Sequence, residues 1–281
     1  MSIEFENIVN FRDVGKTVND YLGKRVMREG VLFRSARPDE ATLQDRRRLV
    51  DELGIKTVMD LRTKTEHLNQ AKKRQEDMKK PPALLQSNPA LAEPVEIPGL
   101  SYHYVRVTGR RFERFLLGQL SWLSFFRLLF LFIFGYRLPA IQIMAQEVMR
   151  PLGLVGLSLV TLDESKPEIL EVPRPTLVHC TQGKDRTGMI IALVLLALRV
   201  PPQAVAHDYL LSQAGIEPER EARLVEILEI GLTPAWLDCP PEMIDRVRGH
   251  LDVRYGGVDG YLDSIGFQRE DRMRLIEVFG A

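Results

Sequence analysis

Residues 178–188 read Val178-His179-Cys180-Thr181-Gln182-Gly183-Lys184-Asp185-Arg186-Thr187-Gly188, a polar, glycine-bearing turn between two apolar segments. Ahead of it, Thr176-Leu177-Val178 is short, β-branched and apolar, follows Pro173 and Pro175, and reads as a buried strand. Behind it, Met189 to Leu198 is apolar nearly all round and stops before Pro201-Pro202, the pattern of a buried helix. A strand, a tight loop and a buried helix put Cys180 at the floor of a nest of backbone N–H groups, facing the positive end of the helix. Such a nest suits a phosphate dianion. Arg186 adds a bidentate, always-charged fork for two phosphate oxygens. The attacking form of cysteine is the thiolate, which a helix N-terminus, nearby cations and the Thr187 hydroxyl would favour. The bland alternatives are an inactive phosphate-binding loop and a buried structural cysteine.

His179-Cys180, five residues and Arg186 match a Cys-x5-Arg loop. The fuller His-Cys-Thr-Gln-Gly-Lys-Asp-Arg-Thr-Gly resembles the tyrosine phosphatase family of bacteria and fungi, within the protein tyrosine phosphatase superfamily. That resemblance implies an α/β cysteine-phosphatase fold, a central mixed sheet flanked by helices with a helical lid-like insertion. It also implies Cys180 as nucleophile, a phosphocysteine intermediate, and phosphate binding by Thr181, Gln182, Gly183, Lys184, Asp185 and Arg186. His179 would brace the loop, and neither metal nor other cofactor is expected. Other segments resemble the family too: Asn10-Phe11-Arg12-Asp13, Phe33-Arg34-Ser35, Asp60-Leu61-Arg62, Asp208-Tyr209-Leu210-Leu211-Ser212 and Tyr255 to Leu262. Arg12, Asp13 and Arg34 are expected to make structural ion pairs between segments.

The leaving oxygen needs a proton, because a tyrosine phenol has a pKa near ~10. The superfamily's usual donor lies in a Trp-Pro-Asp tripeptide, which this chain lacks. Asp185 ranks first as the acid, matching an aspartate with an acid or base role in relatives; Asp60, at the carboxyl end of an expected strand, is second, and Asp163 third. Lys184 resembles a lysine of a phosphoinositide phosphatase, where a second cation suits a multiply phosphorylated ring; pairing with Asp185 is the alternative.

The rest of the chain sets the frame. Its 281 residues are 45% hydrophobic, enough for one phosphatase domain over 1–281. Lys and Arg number 38 against 38 Asp and Glu, so no global field draws nucleic acid. Cys180 and Cys239 form neither a disulfide framework nor a zinc pattern, and the start lacks a signal-peptide profile; a cytoplasmic setting is the expectation. A helix is expected over 42–53 and a strand over 55–59, and Thr63 with Glu66 makes a capping box for the next helix. Residues 64–98, polar and then proline-rich, read as an exposed loop insertion. A second capping box, Ser165 with Glu168, comes before the strand of the loop.

Residues 110–165 read as the helical lid-like insertion. Within it, 112–134 is rich in Phe, Leu and Trp, with Arg127 inside and Arg110, Arg111, Arg114 and Arg137 around it. A central arginine is costly in lipid, and phosphatase elements flank the segment on both sides, so a single crossing is excluded. A lid over the active site, plain core packing and a helix dipping into a bilayer remain as readings. The expected function is hydrolysis of phosphotyrosine in proteins, and of phosphoinositides as a further substrate class. The alternatives are an idle phosphate-binding scaffold and a membrane-peripheral phosphoinositide phosphatase.

Overall fold

The structure, a computed structural model, describes residues 4–78, 95–164 and 176–281. Its sheet has five short strands: β1 (Arg12–Asp13), β2 (Leu32–Ser35), β3 (Thr57–Asp60), β4 (Ser101–Tyr104) and β5 (Thr176–His179). Their order is β1-β2-β5-β3-β4, with β1 antiparallel to β2 and every other neighbour parallel. The mixed sheet flanked by helices is the expected fold.

The helices are α1 (Val14–Leu22), α2 (Leu43–Arg47), α3 (Lys64–Met78), α4 (Arg110–Gly118), α5 (Trp122–Ile133), α6 (Arg137–Met144), α7 (Arg150–Glu164), α8 (Asp185–Ala197), α9 (Pro202–Gly215), α10 (Arg220–Glu229), α11 (Met243–Tyr255), α12 (Val258–Ser264) and α13 (Arg269–Phe279). α2 and α6 each run on into a π-helical turn, Arg48–Glu52 and Ala145–Met149. The expected capping box that starts α3 is present, and α2 starts on another. Thr42 pairs with Asp45, and Thr63 with Glu66.

Successive strand residues face opposite sides of a sheet, and this sheet is buried on both. Leu32, Met59 and Val178 face a core built around α8, while Phe33 and Leu177 face a smaller cluster with Ile8, Leu49 and Ile55. Every residue of α8 from Thr187 to Ala197 is buried, which explains a helix apolar all round. Because β2, β5 and β3 run parallel, Ser35, His179 and Asp60 end in register at one edge. The three loops that follow converge there, where ligands bind in open α/β sheets.

The 64–98 segment, expected as an exposed loop insertion, divides in two. Its first part is α3, whose first turn belongs to the candidate site; residues 79–94 lie outside the described residues, as does the Ser165–Glu168 capping box.

Candidate active site

The loop after β5 is held from outside by its carbonyl groups. His179 Nδ1 lies 3.1 Å from the Cys180 carbonyl oxygen. The Thr181 carbonyl accepts from the Arg37 backbone N–H at 3.2 Å, the Gln182 carbonyl from Asn10 Nδ2 at 2.9 Å, and the Gly183 carbonyl from Arg34 Nη2 at 2.7 Å. In a trans peptide the N–H of the next residue points the opposite way. Four carbonyls tied outward therefore turn the N–H groups of residues 181–184 inward over Cys180, which is a built anion nest. Gly183 has φ 68°, and a Cβ there would meet the Ser35 carbonyl oxygen at 2.1 Å, so only glycine permits this approach. Asn10 also takes a left-handed conformation, φ 58°, one of the few residues that does so at low cost.

Arg186, in the first turn of α8, is oriented by Glu66 on α3. Its Nη1 donates to Glu66 Oε2 at 2.8 Å and to the Leu61 carbonyl at 3.1 Å, and its Nη2 donates to Glu66 Oε1 at 2.6 Å. A guanidinium carries five N–H donors. Glu66 and Leu61 take three at the Nη1 end, leaving the Nε–H and the second Nη2–H as a parallel fork for phosphate. Glu66 also accepts from the Thr181 hydroxyl and the Thr63 N–H, so one carboxylate joins the arginine, the loop and the helix cap. Burial alone would raise the Glu66 carboxyl, but the Arg186 fork and these hydrogen bonds outweigh it and hold it well below the usual carboxylate range. The sequence reading took Glu66 only as a cap.

Two buried ion-pair networks support the loop. Arg62 forks onto Asp60, with Nη2 to Oδ2 at 2.7 Å, and onto Asp39, with Nη1 to Oδ2 at 2.5 Å. Asp60 Oδ2 also lies 3.6 Å from His179 Nε2 and 3.4 Å from His67 Nε2. Burial pushes the Asp60 carboxyl up, but His179 and Arg62 prevail and leave it lowered. Burial holds His179 below its ordinary value, and the approach of its Nδ1 to the Cys180 carbonyl suits a brace. In the second network, Asp208 on α9 binds Arg12 Nε at 2.8 Å through Oδ1 and Arg34 Nη1 through Oδ2, and both guanidinium groups reach Ser212 Oγ. Arg12 and Arg34 thus make the expected structural pairs, whereas Asp13 caps α1 and accepts from the Gly30 N–H.

The open side is a cleft of about 530 Å³ lined by Cys180, Thr181, Gln182, Asp185, Arg186, Glu66, Arg37 and Arg62 from the sheet edge, with Arg223, Glu226, Ile227 and Ile230 from α10 and its end. Asp185 lines it, partly exposed, with its buried Oδ1 turned toward Lys184 Nζ at 3.4 Å. Thr187 Oγ1 is buried and has no hydrogen-bond partner among the described residues. Lys184 is placed differently from the sequence expectation of a substrate cation. It is fully buried, its Nζ donating to the Trp236 and Asp238 carbonyls at 3.0 and 2.8 Å, with Asp185 Oδ1 at 3.4 Å. A five-atom side chain at a helix start can turn either way, and the 236–238 carbonyls draw this one beneath the loop. Asp163 accepts from Tyr255 Oη and lies 2.9 Å from His250 Nε2, and does not line the cleft. Nor does any described residue of 110–164: the wall over the loop is α10, not α5. Cys239 is buried, which pushes its thiol up to about 11. Among the described residues no group of three or more His, Cys, Asp or Glu is placed to hold a metal ion.

The sequence profile of the "Tyrosine phosphatase family" matches residues 3–115 and 162–279, breaking over a stretch that holds α5, α6 and most of α7. Over 124 residues the chain is 32% identical to the "Triple specificity protein phosphatase PtpB" of Mycobacterium tuberculosis, covering 38% of this chain and 45% of that protein. Over 109 residues it is 32% identical to a "Tyrosine-protein phosphatase" of Nostoc commune, covering 35% and 37%. The aligned part is under half the length of either relative. Since the profile takes in the sheet, the cysteine loop and the C-terminal helices together, the chain belongs to the tyrosine phosphatase family.

Proposed function

We propose that the protein is a cysteine-dependent phosphomonoesterase acting on phosphotyrosine, with phosphoinositides as a second substrate class. The observation that carries this reading is the set of four loop carbonyls tied outward around Cys180, beside an arginine with a free two-donor edge. Cys180 Sγ attacks phosphorus in line with the leaving oxygen; the S–P bond forms as the P–O ester bond breaks. The inward N–H groups and the Arg186 Nε/Nη2 fork hold the equatorial oxygens, where fixed donors lower the barrier without reorganising. Asp185 gives its proton to the departing phenolate, then takes one from the water that hydrolyses the phosphocysteine. Its partly exposed place in the lining of the cleft beside Cys180 supports that role. The engagement of Asp60 by Arg62 favours a bracing role for that residue instead.

Ile227 and Ile230 give the cleft an apolar wall against which a phenyl ring can rest. Arg37 and Arg223 stand at its rim in exchangeable pairs with Glu219 and Glu226, open to further acidic groups of a substrate. With Lys184 turned inward, these two arginines take over its expected part. A panel of phosphotyrosine peptides and phosphoinositides, assayed on wild type and Cys180→Ser, tests the proposal. Hydrolysis of phosphotyrosine peptides that vanishes in the variant is the expected result; hydrolysis that survives Cys180→Ser overturns it.

A further inference from the structure

The hairpin of α5 and α6 presents an apolar face that no described part of the chain covers. Trp122, Leu123, Phe126, Phe130 and Ile133 recur at helical spacing along α5 and are 80, 79, 46, 58 and 70% exposed. The other side of α5, with Phe125, Leu128 and Leu131, is half-buried. Phe132, Phe134 and Tyr136 carry the exposed surface around the turn. Exposed apolar side chains are ordinarily scattered singly; a contiguous stripe of large rings marks a contact surface.

Basic side chains predominate in the segment that carries this stripe. Arg110, Arg114, Arg127, Arg137 and Arg150 are exposed and make no ion pair among the described residues. Between 110 and 150 the acidic side chains are Glu113 and Glu147 alone, in a chain whose charges balance overall. Rings flanked by free guanidinium groups match the boundary between acyl chains and acidic headgroups. A second copy of the same face would bring these arginines together across a twofold axis, against like charge.

We infer that the α5–α6 hairpin docks the protein on the surface of an anionic lipid bilayer, with the aromatic stripe at the headgroup boundary and the arginines on lipid phosphates. Docking is in the plane of the interface. α5 has 12 residues and is about 18 Å long, short of the ~30 Å hydrocarbon core. The 28-residue apolar run Arg137–Glu164 is interrupted at Gly153, where the backbone leaves helical geometry. β4 before the segment and β5 after it belong to one sheet, so the chain cannot cross once. The hairpin adjoins the cleft wall through α6, where Gln142 Nε2 donates to the Glu229 carbonyl on α10 at 2.9 Å.

Vesicle co-flotation of the full chain tests this, using phosphatidylcholine vesicles with and without phosphatidylserine. The wild type and Cys180→Ser should float equally with anionic vesicles, because docking does not depend on catalysis. Binding should fall with salt and on pure phosphatidylcholine. Replacing Arg114 and Arg137 by serine should weaken partitioning roughly thirtyfold. Trp122→Ser with Phe130→Ser should abolish flotation while hydrolysis of a soluble aryl phosphate is unchanged. Should the double variant fail to fold, the Trp122 emission of a Trp236→Phe protein supplies the readout, with a blue shift on anionic vesicles expected. Absence of flotation and of any blue shift overturns the inference. So does a dimer that the ring variants dissociate without any vesicle binding, which would make a second copy the occupant. A change in soluble-substrate turnover in the ring variants would equally overturn it, in favour of a lid.

Discussion

Replacing Glu66 by glutamine keeps the shape of the side chain and removes its charge. The carboxylate accepts from Arg186 Nη1 at 2.8 Å, from Arg186 Nη2 at 2.6 Å and from the Thr181 hydroxyl. Glutamine retains one acceptor oxygen and sets an NH2 group against one of these donors, so at least one charge-assisted hydrogen bond is lost. Such a bond is worth about 1.5–3 kcal/mol. Each 1.36 kcal/mol of transition-state stabilisation is about tenfold in rate. In the proposed mechanism Arg186 grips the phosphoryl oxygens most strongly as charge redistributes, so the loss should fall mainly on kcat, with kcat/KM down by about 10–100-fold. Steady-state hydrolysis of an aryl phosphate measures it, with a thermal melt beside it to show that the fold persists. The opposite expectation follows if Glu66 competes with phosphate for Arg186: the variant would then bind substrate more tightly. An unchanged or raised kcat/KM, or tighter vanadate inhibition, refutes the positioning role.

Asp185→Asn should slow hydrolysis of a phosphotyrosine peptide by about 10²-fold or more, and much less for an aryl phosphate whose leaving group needs no proton; equal losses on the two would remove Asp185 as the donor. Asp208→Asn leaves the fully buried Arg34 facing an uncharged partner, at a cost of about 3–5 kcal/mol, read as a fall in melting temperature on the order of 10 °C. Burial raises Asp208, but Arg12 and Arg34 outweigh it and its folded value is lowered, as those of Asp60 and Glu66 are. A carboxyl lowered on folding stabilises the protein above its unfolded value, near ~4, and loses that contribution as pH falls through the folded value. Melting temperature should therefore decline below about pH 4, and less steeply in Asp208→Asn; a melting temperature that rises on acidification contradicts this.

The loop, its strand and its helix were legible because each carries a local signature: β-branched residues after prolines, glycine at the crowded turn, an all-apolar run closed by prolines. The Thr63–Glu66 capping box was legible for the same reason. Glu66 was not, because its second role depends on α3 and α8 meeting at the strand ends, a long-range fact that a capping signal hides. An acidic residue one helical turn past Asp60-Leu61-Arg62, near an arginine loop, was the available cue. Lys184 misled for a related reason: its chemistry invites phosphate, but the 236–238 carbonyls that hold it lie some fifty positions away in the chain. The α5 stripe shows the limit of periodicity, which marks an apolar face without naming what covers it.

The central claim, that Cys180 is the nucleophile, is tested most directly by acid-quenching the enzyme during turnover of an aryl phosphate and mapping the phosphoryl group by mass spectrometry. A phosphoryl adduct on the peptide containing Cys180, absent in Cys180→Ser, is the expected result. Turnover with no adduct on that cysteine, and hydrolysis retained in the variant, would contradict it.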